Sequence, residues 1–160
     1  MPHPERTYRM YFFVPYNLSP IQQAIQAGHA ALEYAVYHRD TEEFQNFIFW
    51  DKTWIILNGG TSNDSHLGNP KGSMEEIYES LRNIRINCSK FHEPDINNAM
   101  TAICFLADER VWDWENYPSF DNYLQLAPID SPVSYESWLE LIGGEKNAFL
   151  KTLIQNKRLA

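Results

Sequence analysis

Ser19-Pro-Ile-Gln-Gln-Ala-Ile-Gln-Ala-Gly-His-Ala-Ala-Leu-Glu-Tyr34 follows an apolar run, Tyr11-Phe-Phe-Val-Pro15, and the pair reads as a helix directly behind a strand. Ser19 supplies an N-cap hydroxyl and Pro20 occupies the first helical position, where its missing N–H costs nothing. Two faces emerge at helical spacing. Ile21, Ala24, Ile25, Gly28, Leu32, Ala35 and Val36 form a narrow apolar stripe, the expected core face. Gln22, Gln26, His29 and Glu33 form a second column at steps of four, three and four. An ordinary amphipathic helix opposes its core face with Lys, Arg and Glu. This column carries amides and an imidazole, groups that both donate and accept hydrogen bonds. It is therefore read as a binding site and not as a solvated face.

Outward from that helix the chain alternates strands and helices. Tyr8 to Pro15 is a buried strand, rich in aromatics and closed by proline. The helix runs to about Arg39, and Thr41-Glu-Glu-Phe starts a shorter one. Thr53 to Leu57 is the second strand, ended by Asn58-Gly59-Gly60. Thr61 to Gly72 is a polar, Gly/Asn/Pro-rich loop without the Gly-Lys-Ser/Thr ending of a phosphate loop. Ser73-Met-Glu-Glu76 is a capping-box signal for a helix to about Ile86. Cys88 to His92 and Ala99 to Ala107 are strands. Asp108 to Ser131 is an aromatic loop or short helix, and a helical region from Ser134 is interrupted at Gly143-Gly144. This order implies an α/β fold around a small mixed sheet.

At 160 residues a single domain with a real core is expected. Aromatic residues make up 14%, including five Trp, which points some of the rings to a binding surface. The net charge of -8 argues against a nonspecific binder of long nucleic acid, which needs a cationic footprint to displace counterions. A small nucleotide held by stacking and hydrogen bonds remains compatible with that charge. Cys88 and Cys104 have neither metal nor disulfide-framework spacing and are read as buried free thiols of a reducing compartment. No apolar leader follows Met1 and no run approaches ~18 apolar residues. The expectation is a cytoplasmic protein that does not span a membrane.

A second constellation is His92-Glu93-Pro94-Asp95-Ile96-Asn97-Asn98, just before the strand Met100-Thr101-Ala102-Ile103. Carboxylates, amides and a hydroxyl converge at a strand mouth, where α/β folds place ligands. Glu93 and Asp95 would act as a general base or accept hydrogen bonds from ribose hydroxyls or an exocyclic amine. A turn capped by Asn97 and Asn98 explains the amides equally well. His3, His38 and His66 lack partners at metal-ligand spacing, so no metal and no other cofactor is assigned. No Ser, Cys or Thr nucleophile stands in a recognisable elbow.

The strand, then Ser19 with Gln26, His29 and Ala30 in register, then a late acidic segment and the Thr101-led apolar strand, resembles the type II peptidyl-tRNA hydrolases. The resemblance covers roughly residues 8 to 110, and 111–160 would be a C-terminal aromatic and helical extension within the single domain. It implies a four-stranded mixed sheet flanked by helices, a possible homodimer, and an ester-cleaving ancestry. The family's lysine three residues after the serine is Gln22 here, and the first lysine of the chain is Lys52. The family's Glu-Asp pair becomes Glu93-Pro94 with the acid displaced to Asp95. Its aspartate before the helix has no counterpart among Tyr16, Asn17 and Leu18. Losing the lysine removes a charge for a phosphate or an oxyanion, which points away from hydrolysis of peptidyl-tRNA.

The pattern also looks like a divergent, phage-encoded branch of that superfamily. By analogy with phage proteins of this size, the expectation is a small-nucleotide binder that sequesters an ADP-ribose-derived or cyclic-nucleotide immune signal as an anti-defence protein. The ligand-binding set is Tyr16, Ser19, Gln22, Gln26, His29, Glu33, Glu93, Asp95, Asn98 and Thr101, with Tyr16 or Trp112 stacking on the base. The alternative is a hydrolase of peptidyl-tRNA or of the signalling nucleotide, with His29 or Asp95 as general base.

Overall fold

A computed structural model describes residues 4–62, 68, 70–127 and 134–160. His3, His66, most of the loop between Thr61 and Gly72, and the end of the aromatic segment lie outside the described residues. The chain divides into two compact units, 1–106 with 157–160, and 107–156.

The first unit is an α/β layer structure. Strand β1 (Tyr8–Pro15) leads into helix α1 (Pro20–His38), then α2 (Glu42–Asn46) and a π-helical turn (Phe47–Asp51). β2 (Trp54–Gly60), α3 (Ser73–Asn83), β3 (Cys88–Glu93), a 3-10 turn (Pro94–Ile96) and β4 (Ala99–Asp108) follow. The sheet order is β2-β1-β4-β3, with β1 parallel to β2 and β3 antiparallel to β4. Met10, Phe12 and Val14 point from β1 to Ala27, Ala30 and Tyr34 of α1 and to Phe44 and Phe47. On the alternate positions Tyr11 and Phe13 meet the Phe105 ring. Residues 158–160 run antiparallel beside β2, where Asn58 N–H donates to the Arg158 carbonyl at 2.9 Å and Ala160 N–H to that of Ile56 at 3.0 Å.

α1 begins as its sequence predicts, with Ser19 Oγ accepting the Gln22 N–H at 3.3 Å. Its orientation is the reverse of the expected one. The buried positions are Gln23, Gln26, Ala27, Ala30 and Tyr34, while Ile21, Ile25, Leu32 and Val36 face solvent. The contact with the sheet is made through alanines, and the two inward glutamines are not stranded. Gln23 Nε2 donates to the Pro15 carbonyl at 3.3 Å, and Gln26 is bonded at both ends of its amide. Buried amides with all partners in place are tolerated, so hydrophobicity alone does not set which face turns inward.

β2 extends through Asn58, Gly59 and Gly60 rather than ending before them. A Cβ on Gly59 would lie 2.3 Å from Met74 Sδ and 3.0 Å from Phe13 Cβ, so glycine here serves close packing and not a turn. Ser73 is not the cap of α3: its Oγ donates to the Gly59 carbonyl at 2.6 Å and accepts the Thr61 N–H at 2.9 Å. The N-cap is Gly72, whose N–H is taken by Glu75 at 2.9 Å. Cys88 and Cys104 are buried free thiols, and burial pushes Cys88 up to about 11.

The second unit packs α4 (Glu109–Trp112), α5 (Phe120–Leu126), α6 (Tyr135–Ile142) and α7 (Glu145–Ile154). Trp138, Ile142 and Ala148 form its centre with Tyr117, Phe120, Tyr123 and Leu139 around them. The aromatic richness of this region therefore goes largely into a core. Trp138 also donates its indole N–H to the Pro118 carbonyl at 2.9 Å. α6 stops at Gly143, whose φ of +91° favours glycine and whose Cβ position lies 2.4 Å from the Arg110 guanidinium. Lys151 of α7 is 2% exposed and donates Nζ to the carbonyls of Val111 (3.1 Å) and Tyr117 (2.5 Å), beneath the Trp114 ring at 3.9 Å.

Candidate functional site

The site is built in the first unit where α1 crosses β3 and the start of β4. Thr101 points inward from β4 and donates its hydroxyl to Gln26 Oε1. The amide is thereby oriented, and Gln26 Nε2 donates to Glu93 Oε2 at 2.8 Å. Thr101 and Gln26 are buried, whereas Glu93 is half-buried at the end of β3. A directional chain thus runs from a core hydroxyl through a core amide to a carboxylate that opens outward. The Gln26 amide holds the Glu93 carboxyl below the usual carboxylate range, assisted by the Asp95 N–H and by the nearby His29.

One turn beyond Gln26, His29 stacks on Phe91 with ring centroids 4.4 Å apart and planes 18° from parallel. Phe91 and Ser89 share the α1 side of β3, and Ser89 Oγ donates to the Ala30 carbonyl at 2.6 Å. On the opposite side Lys90 places its ammonium 4.6 Å from the centre of the Tyr78 ring of α3. The 3-10 turn carries Asp95, exposed, with its N–H aimed at Glu93 Oε1 at 3.4 Å. Asn97 and Asn98 both adopt left-handed backbone (φ +51° and +56°), and the Asn98 carbonyl lies 2.7 Å from His92 Nδ1.

Beyond His29 and Phe91 a cleft of about 620 Å³ opens along β3 between α1 and α3. Its walls include Glu33, Tyr37, Tyr78, Arg82, Lys90 and Phe91. A smaller recess of about 180 Å³ shares Arg82 and His38 with it and adds Arg85 and Asn87. Burial raises the Tyr78 phenol above its ordinary value, so it remains neutral at physiological pH.

Of the residues singled out from the sequence, Gln26, Glu93 and Thr101 are joined by hydrogen bonds and His29 and Glu33 lead from them toward the cleft. Ser19 is engaged as the helix cap, and Gln22 stands exposed one turn before Gln26. Tyr16 is exposed beyond β1, with its N–H donated to the Gly60 carbonyl at 3.0 Å. Trp112 belongs to the second unit, at the end of α4. Tyr37, Tyr78, Arg82 and Lys90 line the cleft as well and lie outside the set that the sequence pattern suggests. Their only sequence signal was a pair of basic residues in an acidic chain, and strand order alone brings their three elements together. No protein-family model and no curated protein sequence matches this chain.

Proposed function

We propose that the first unit binds a small nucleotide in the cleft between α1, α3 and β3. The observation that carries this reading is a cavity of about 620 Å³ that combines aromatic rings with the cations Arg82 and Lys90, in a chain of net charge -8. That volume is typical of small-ligand sites. Phosphate oxygens would meet Arg82 and Lys90, with Arg85 beyond in the adjoining recess, while a base would stack against Tyr37 or Phe91. Glu93, fixed by Gln26, and Glu33 would accept ribose hydroxyls or an exocyclic amine. Within this reading Gln26 acts through Glu93, because its own amide is already engaged at both ends.

Retention, not cleavage, is the proposed outcome, as in sequestration of a signalling nucleotide. His29, the most obvious base, lies flat on Phe91. Isothermal calorimetry against nucleoside mono- and diphosphates, ADP-ribose and cyclic nucleotides tests the binding. Heat denaturation followed by chromatography then reports whether the bound molecule is intact. The expected results are a micromolar or tighter ligand, recovered whole, and a loss of about tenfold or more in affinity for Arg82→Ala. Recovery of fragments would assign hydrolysis instead, and absence of binding across the panel would falsify the reading.

A further inference from the structure

Among the described residues no element covers the outward apolar stripe of α1, and its pattern specifies what would fit it. Ile21, Ile25, Leu32 and Val36 are 72%, 45%, 68% and 67% exposed. With Ala24 and Gly28 they present on the order of 500 Å² of apolar surface, toward the upper range for the largest patch on a monomer. Flanking atoms of Gln22 and His29 bring this to about 600 Å², half of the ~1,200 Å² at the lower end of specific interfaces.

Three features point to a second copy of the same chain, laid antiparallel. The four large residues are placed symmetrically about a point between Gly28 and His29, so a two-fold axis there sets Ile21 against Val36 and Ile25 against Leu32. Gly28 lies beside that axis, and a Cβ on it would meet nothing within 4 Å. A mid-helix glycine weakens a helix and no contact among the described residues calls for it, whereas close approach of a second backbone does. Charge is the third feature. A chain of net charge -8 repels its own copy, yet from Pro20 to Tyr37 the only carboxylate or fixed cation is Glu33. Antiparallel pairing separates the two Glu33 residues by about 13 Å along the helix axes, further than the ~10 Å screening length at 0.1 M salt. Parallel pairing would bring them level.

We infer that this protein forms a two-fold symmetric dimer through antiparallel α1 helices crossing at Gly28. The dimer rests on the outward face of α1 and is independent of what the cleft binds. Sedimentation equilibrium of the full chain, at concentrations up to about 100 µM, should give twice the 18.7 kDa chain mass. Leu32→Asp should give a monomer with an unchanged far-UV circular dichroism spectrum, since the position is exposed. Orientation is read by cross-linking: the double variant Ile21→Cys with Val36→Cys should oxidise to a covalent dimer, and Ile21→Cys alone should not. The native Cys88 and Cys104 are buried and stay silent. A wild-type monomer throughout that range, or a dimer that survives Leu32→Asp, overturns the interface. Efficient cross-linking by Ile21→Cys alone overturns its antiparallel sense.

Discussion

Gln26 in the first unit and Lys151 in the second are both polar, both 2% exposed, and both bonded to two partners, yet their networks end differently. Lys151 spends its ammonium on the carbonyls of Val111 and Tyr117 beneath the Trp114 ring, and its contacts close on the unit's own backbone. Gln26 accepts a hydrogen bond from the Thr101 hydroxyl and donates one to Glu93, whose carboxylate opens toward solvent at the end of β3. A buried polar group that terminates on backbone serves stability. One that terminates on an ionised side chain at a cleft sets the position and charge of that side chain, which is what a binding site needs.

The sharpest way to break this contrast is to remove Lys151. Lys151→Ala leaves two carbonyls without their donor and empties the volume of the side chain, at a cost of roughly 4 kcal/mol to the second unit. Hydrogen exchange of α4 and α7 amides should accelerate accordingly, with affinity at the cleft unchanged. The same amine carries a pH signature. Burial pushes it down to about 8 from an ordinary 10.5, against the opposing pull of Asp113 and Asp108. The folded unit therefore releases this proton before the unfolded chain does. Its stability should rise as pH increases from about 8 toward 10.5, and the lysine's penalty should be complete below 8. Lys151→Met, compared across that window by the same exchange rates, should lack the slope.

Removing Gln26 has a smaller effect on folding and a larger one on the site. Gln26→Ala leaves the Thr101 hydroxyl buried without its acceptor and frees Glu93, costing about 2 kcal/mol. If the carboxylate orients a ligand, nucleotide affinity should fall by about tenfold, while amide exchange in α4 and α7 should not change. A variant that loses stability but keeps full affinity would reduce Gln26 to the same status as Lys151.

The contrast also shows where sequence reasoning reaches and where it stops. Local chemistry was legible: proline-terminated β1, the Ser19–Pro20 helix start, and the Gly143-Gly144 break each follow from one or two residues acting on their own backbone. Gln26, Glu93 and Thr101 were named from the sequence and are hydrogen-bonded in the structure. The inward face of α1 was not legible, because its reversal depends on acceptors supplied by Pro15 and Glu93 and a donor supplied by Thr101. Without those partners, Gln26 reads as part of an open binding face, and the four large aliphatics read as the core. The cleft was equally hidden. Tyr37, Tyr78 and Lys90 lie on α1, α3 and β3, and their meeting depends on β3 taking the outer place in the order β2-β1-β4-β3.

The smallest expected effect, and the most direct probe of the Gln26 chain, is the titration of Glu93. Its carboxyl is held below the ordinary value of 4.5, first by the Gln26 amide and then by the Asp95 N–H and His29. For a carboxylate whose pKa is depressed on folding, the associated stability is present above the unfolded value and disappears as pH falls through the folded one. The contribution lies entirely in the acid range and is slight, since the group is open to solvent and screened. The side-chain carbon shift of Glu93, followed by NMR from neutral to acid pH, should show the depressed midpoint in the wild type. In Gln26→Ala the midpoint should move back toward 4.5, retaining only the pull of Asp95 and His29. Lys151→Met should leave it unmoved. A midpoint that ignores Gln26 would mean that the 2.8 Å bond does not persist in solution, and the carboxylate would then lose its claim to a fixed place in the site.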